Sequence, residues 1–175
     1  MTTFTLQPFS SLDNHPWRLE GRVERNGAHF FLETALRGDL ESLVIPTFAP
    51  QPQRRDNLWE TTCFECFLAP LDGAEYWELN LSPSGHWQSY RFADYRQGRD
   101  LALGLDPVFQ IHRQARSLTL TLTLDLAPII PRNLPLTVNV TAVFESQEGV
   151  LSYWAPSHPR SEADFHCREG FILRV

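Results

Sequence analysis

The sequence predicts an all-β fold: a two-sheet antiparallel β-sandwich of the immunoglobulin-like or jelly-roll type, with about ten short strands. Three observations carry that expectation. Leu118, Leu120, Leu122, Leu124 and Leu126 alternate with Thr119, Thr121, Thr123 and Asp125, a period of two that buries one face of a strand and would scatter the leucines around a helix. Aromatic and β-branched runs elsewhere are cut by turn formers, as at Pro70-Leu71-Asp72-Gly73 and Ser82-Pro83-Ser84-Gly85, whose residues preset turn backbone angles or tolerate positive φ. Finally, little helical periodicity appears between these runs, which argues against a βαβ protein.

Taken in order, Phe4-Thr5-Leu6 reads as a short edge strand. Trp17 to Val23 alternates Trp, Leu, Gly and Val against charges, and Asn26-Gly27 supplies a tight hairpin turn into Ala28 to Leu36. Leu43 to Pro46 suggests a short strand, after which Pro46, Pro50 and Pro52 force an irregular surface segment towards Arg54 and Arg55. Three strands follow as a meander over Leu58–Leu68, Tyr76–Leu81 and His86–Phe92. Period-two alternation puts Phe64, Cys66, Leu68, Trp77, Leu79 and Leu81 on one face and Cys63, Glu65, Tyr76, Glu78 and Asn80 on the other. The first face is core; the second gathers acids, an amide and aromatic rings, as a binding surface does. Ala93–Arg99 reads as a turn or a single helical turn, Val108–Arg113 as a strand, and Leu136–Phe144 as another alternating strand beyond Pro128, Pro131 and Pro135. Leu151–Trp154, a loop through Asp164-Phe165-His166 and a closing strand at Phe171–Val175 complete the chain.

The 175 residues suit one domain, spanning 1–175, with enough length to bury a core without disulfide or metal staples. A net charge of −6 leaves no positive field for phosphate backbones, so nucleic acid is not an expected partner. No apolar run approaches the ~20 residues of a membrane span, and Met1 to Pro8 lacks a basic stretch followed by an apolar one, which predicts a cytoplasmic protein. Cys63 and Cys66, three apart on a strand, point to opposite faces and cannot converge on a metal. His158 and His166 lie too far apart in sequence, with only Asp164 or Cys167 as a third donor, to make a persuasive metal site. No metal or cofactor is expected.

Leu58-Trp59 followed by Cys63-Phe64-Glu65-Cys66-Phe67, then Tyr76 to Gly85, and later Tyr153-Trp154 with Asp164-Phe165-His166 and Gly170-Phe171, together resemble the DOMON-like domains related to family 9 carbohydrate-binding modules. The resemblance runs through nearly the whole chain in the same order. It implies a sandwich that binds sugars or haem without catalysis. In the sugar-binding members two indoles clasp a saccharide, which assigns that role to Trp59 and Trp154, while Glu65 and Asn80 would orient its hydroxyls. Glu78 stands where those relatives often carry a basic residue.

The chemistry of the residues agrees with such a ligand. A pyranose offers apolar C–H faces and a rim of hydroxyls, and so needs flat aromatic surface beside planar polar groups. The expected function is therefore a non-catalytic module for an oligosaccharide or similar polyhydroxylated small molecule. Each site residue also has a structural reading: Trp59 and Trp154 as packing, Glu65 as half of an ion pair with Arg55, Arg91 or His112, Asn80 as a partner of the following turn, and His166 as a pin for the C-terminal loop. A protein-interaction module is the main alternative. Haem is a weaker one, since Met1 is the only methionine and axial ligands would have to be histidine pairs. Glu65 and Glu78, facing each other across neighbouring strands, could act as an acid–base pair, but no nucleophile elbow, phosphate loop or HExxH pattern accompanies them.

Overall fold

A computed structural model describes residues 1–10 and 15–175. Its strands are β1 (Thr2–Pro8), β2 (Trp17–Asn26), β3 (His29–Gly38), β4 (Cys63–Pro70), β5 (Tyr76–Leu81), β6 (Trp87–Phe92), β7 (Asp100–Leu101), β8 (Val108–Gln114), β9 (Ser117–Asp125), β10 (Leu136–Glu145), β11 (Leu151–Ala155) and β12 (Leu173–Arg174). Two single-turn 3₁₀ segments, Leu58–Glu60 and Arg168–Gly170, are the only helical elements among the described residues.

All strand pairs are antiparallel, in the order β7-β6-β5-β4-β10-β11-β1-β2-β3-β9-β8, with β12 on β10. The expected pair of separate sheets is thereby corrected to one continuous sheet that curls over on itself. The reason lies in β1. Thr2 to Leu6 pair with β2, but Gln7 and Pro8 pair with Ala155 and Trp154 of β11, so one strand bonds to both halves and the hydrogen-bond ladder never breaks.

The alternation seen in the sequence decides what fills the curl. Leu19, Val23, Leu32, Leu36, Leu118, Leu120, Leu122 and Leu124 point inward from one half, and meet Phe64, Cys66, Leu68, Trp77, Leu79, Val138, Val140 and Ala142 from the other. Trp17 packs against this cluster from a partly buried position. The Asn26-Gly27 hairpin forms as expected, with Gly27 at φ +60°. The segment after Pro46 is irregular, tied down by a short bridge between Arg54 and Trp87. The closing strand is shorter than anticipated: only Leu173 and Arg174 pair, with Val138 and Thr137 of β10, on a strand whose other end carries β11 from Ala142 to Glu145.

The outward face of β4-β5-β6-β10 is not left to solvent. Phe67, Tyr76, Tyr90, Phe92 and Val143 form a second cluster with Phe165 and Phe171, which the C-terminal loop folds back over the sheet. Asn139 fastens that loop by donating from its amide to the Phe165 carbonyl at 3.1 Å, and Arg168 donates to the Pro70 carbonyl at 2.8 Å. This arrangement leaves a hollow between loop and sheet.

Candidate functional site

The hollow is a pocket of about 540 Å³ on the outward face, within the size range of small-molecule sites. Its floor comes from the meander: Glu65 of β4 and Glu78 of β5 are 4% and 5% exposed. Strand register explains their proximity, since Glu65 lies opposite Asn80 and Phe67 opposite Glu78, which makes the two acids diagonal neighbours on one face. Around them stand Trp59, Phe92, Tyr153, Phe165 and His166, with Glu60, Arg96 and Arg99 also on the lining.

Trp59 is placed by the 3₁₀ turn at Leu58–Glu60. Asn57 enters that turn in the left-handed region at φ 61°, and buried Leu58 anchors it. The indole, half-buried, meets the Tyr90 ring edge-on at 6.1 Å. Tyr90 is itself held by its hydroxyl donating to Asp56, and the Arg99 guanidinium lies 5.1 Å over its ring. On another wall, Tyr153 contacts Phe165 edge-on at 6.1 Å and stays 36% exposed.

The expected partner of Trp59 is elsewhere. Trp154 is buried in the inner core, with Trp17 and Phe144 at 6.3 and 6.2 Å and its indole N–H donating to the Ser152 hydroxyl at 3.0 Å. Pairing with β10 fixes this parity: Trp154 lies opposite inward Ala142, and Tyr153 opposite Val143 of the outer cluster. The adjacent tyrosine, not the tryptophan, therefore faces the pocket. Asn80 is on the expected face but behind the lining, where its amide donates to Glu78 at 2.6 Å rather than to the following turn.

Electrostatics at the floor follow from burial. Desolvation raises the Glu65 carboxyl well above its ordinary range, and the neighbouring charge of Glu78 adds to this against a smaller pull from Arg96. Among the described residues Glu65 has no hydrogen-bond or ion-pair partner. The expected donors lie elsewhere; Arg91 pairs with Glu75 and His112 is exposed on β8. Glu78 is pushed up to about 7 by burial, despite the Asn80 bond and the charges of Arg99 and Arg96. Both carboxyls thus hold protons at pH values where ordinary glutamates have lost them.

His166 comes from the loop. Burial, reinforced by Arg96, lowers it to about 4, so its imidazole is neutral near pH 7. Its Nδ1 lies 2.7 Å from the Tyr76 hydroxyl, which accepts the Arg96 backbone N–H at 3.1 Å. Burial holds Tyr76 up at about 12, so the phenol keeps its proton, and its hydroxyl donates to Nδ1 in one imidazole tautomer and accepts from it in the other. With Nδ1 accepting, Nε2 carries the hydrogen, 3.7 Å from Glu78 Oε2, where it can donate to a third group. Arg96, at φ 53°, is held by Asp164 at 2.9 Å. His166 does pin the loop, as one reading of the sequence held, but it also lines the pocket. No pattern in the sequence places the turn that carries Arg96 and Arg99 against the meander.

The pocket therefore combines aromatic walls with a buried floor of two carboxyls and one imidazole N–H. It can stack a flat apolar face and exchange hydrogen bonds with hydroxyl or amine groups. Among the described residues no three His, Cys, Asp or Glu side chains converge as metal ligands.

No protein-family model matches the chain, and no curated protein matches it. Solved structures do. A candidate carbohydrate-binding protein from Bacteroides uniformis superposes with a TM-score of 0.66 at 14% identity, over 95% of this chain and 84% of the other. A family 9 carbohydrate-binding module from Caldicellulosiruptor kristjanssonii, in complex with cellotriose, gives a TM-score of 0.51 at 9% identity, over 87% and 71%. At these identities the likeness is one of fold.

Proposed function

We propose that the chain is a non-catalytic binding module whose outward pocket takes a saccharide or similar polyhydroxylated small molecule. One observation carries this reading: a pocket of about 540 Å³ brings exposed faces of Trp59 and Tyr153 together with a desolvated hydrogen-bonding floor of Glu65, Glu78 and His166. Trp59 and Tyr153 would lie against the C–H faces of the ring. Glu65 and Glu78, protonated or ionised, would bond its hydroxyls, with the His166 Nε2–H as a donor and Asn80 holding Glu78 in position.

The saccharide-related descriptions of the two fold neighbours support the ligand class. Covering about 150 Å² of aromatic surface would return roughly 4 kcal/mol before the losses of association. That gain alone corresponds to a dissociation constant of about a millimolar, with the hydrogen bonds of the floor set against the losses of association. Titration calorimetry of the protein with glucose and cello-oligosaccharides, and with Trp59→Ala and Tyr153→Ala variants, tests the reading. Saturable binding lost in both variants is the expected result; no heat with any saccharide, or binding that both variants keep, would overturn it.

A further inference from the structure

The floor of the pocket is rich in acceptors and poor in donors. Glu65 is 4% exposed and unpartnered among the described residues, and Glu78 receives one side-chain hydrogen bond, from Asn80. Glu60 adds a third carboxylate to the lining, and Asp164 a fourth behind it.

The positive groups facing these acids are Arg96 and Arg99 from the turn after β6, and both are committed elsewhere. Arg96 is bonded to Asp164, and Arg99 lies over the Tyr90 ring. The remaining titratable groups that feel the floor, Cys63 of β4, Tyr76 of β5, Tyr90 of β6 and His166 of the loop, are neutral near pH 7. Four acids thus face two bases. In the free protein the two buried acids, Glu65 and Glu78, hold their protons above the usual carboxylate range.

A buried carboxylate needs a paired cation or several donors. The protein supplies neither to Glu65, though an amide would serve a neutral hydroxyl as well at far lower desolvation cost. A bound metal would need a convergent ligand set, which the described residues lack. An ammonium brings three donors and one charge, and the aromatic walls of Trp59, Tyr153 and Phe92 favour a cation over a neutral group.

We propose that the pocket selects an amine-bearing sugar, with its ammonium seated at Glu65 and Glu78 and its ring against Trp59 and Tyr153. This rests on the saccharide reading above and names the class of sugar. Binding would displace the carboxyl protons that stand in for the ligand's charge.

The test is calorimetry at about pH 6, where a primary amine is protonated, with D-glucosamine, D-glucose and N-acetyl-D-glucosamine. Glucosamine should bind about tenfold more tightly than the other two, the scale of one hydrogen bond to a charged group. Its heat should change between buffers of different ionisation enthalpy, which reveals proton release, while that of glucose should not. Glu65→Gln should erase the preference, and a far-UV circular dichroism spectrum and thermal melt matching those of the unmodified protein show that the variant is folded. Equal affinities, tighter binding of the N-acetyl sugar, or a preference that survives Glu65→Gln would overturn the amine proposal and leave the saccharide reading standing. Failure of all three sugars and of cello-oligosaccharides to bind would overturn both.

Discussion

Replacing Glu78 by Gln should change the pH dependence of stability in a direction opposite to that of most surface carboxylates. The folded protein raises this group from 4.5 to about 7, so between those pH values the native state holds a proton that the unfolded chain has lost. Stability then falls as pH rises through this window. A shift of that size corresponds to about 3 kcal/mol. Gln accepts the Asn80 amide just as a carboxyl does but has no proton to lose. The stability of Glu78→Gln relative to the unmodified protein should therefore climb by about 3 kcal/mol between pH 4.5 and pH 8. Glu65 shifts in the same direction; removing the charge beside it eases its own ionisation and adds to the gain. Taking the difference between the two proteins cancels His166, which titrates across part of the same window. Urea unfolding followed by tryptophan fluorescence and far-UV circular dichroism at several pH values gives the measurement, provided the m-value is unchanged. A difference that stays constant with pH would show that Glu78 ionises alike in both states, and the idea of a desolvated floor would fail.

Trp154→Ala should destabilise the fold by about 3–5 kcal/mol in urea titrations, as loss of a buried core indole does, whereas Tyr153→Ala, next to it but partly exposed, should cost much less and abolish saccharide binding. Equal costs for the two would contradict the parity assigned to β11. His166 is depressed to about 4 from 6.5, so its contribution is complete above pH 6.5 and is lost as pH falls through 4, an effect of up to about 3 kcal/mol. A His166→Asn variant should accordingly show a flatter acid limb in thermal melts at pH 4 and pH 7, and an unaltered limb would refute the buried neutral imidazole. Gly85→Ala forces a Cβ at φ +86° to within 2.8 Å of the Phe48 ring; since that ring is exposed and can move, about 1 kcal/mol of backbone strain should remain in its urea midpoint.

What the sequence disclosed and what it concealed divide along a physical line. Faces set by local alternation were legible: Phe64, Cys66, Leu68, Trp77, Leu79 and Leu81 lie in the inner core, and Glu65, Glu78 and Asn80 lie on the reverse. Parity in β11 was not legible. Leu151-Ser152-Tyr153-Trp154 lacks a clean alternation, and only its register against Ala142 and Val143 decides that tyrosine faces out and tryptophan in. The separation into two sheets failed for a similar reason, because the split allegiance of β1 depends on long-range pairing at Gln7 and Pro8. His166, Arg96 and Arg99 come from loops whose placement over the meander is set by contacts such as Asn139 to the Phe165 carbonyl and Arg96 to Asp164. Residues brought together by such tertiary ties carry no periodic signal in the chain.

A crystal structure of the protein soaked with an oligosaccharide probes the pocket most directly. The account predicts a sugar ring lying against Trp59 and Tyr153, with polar groups within hydrogen-bond distance of Glu65, Glu78 and His166. Density for the sugar at another surface, with this hollow filled only by water, would contradict it.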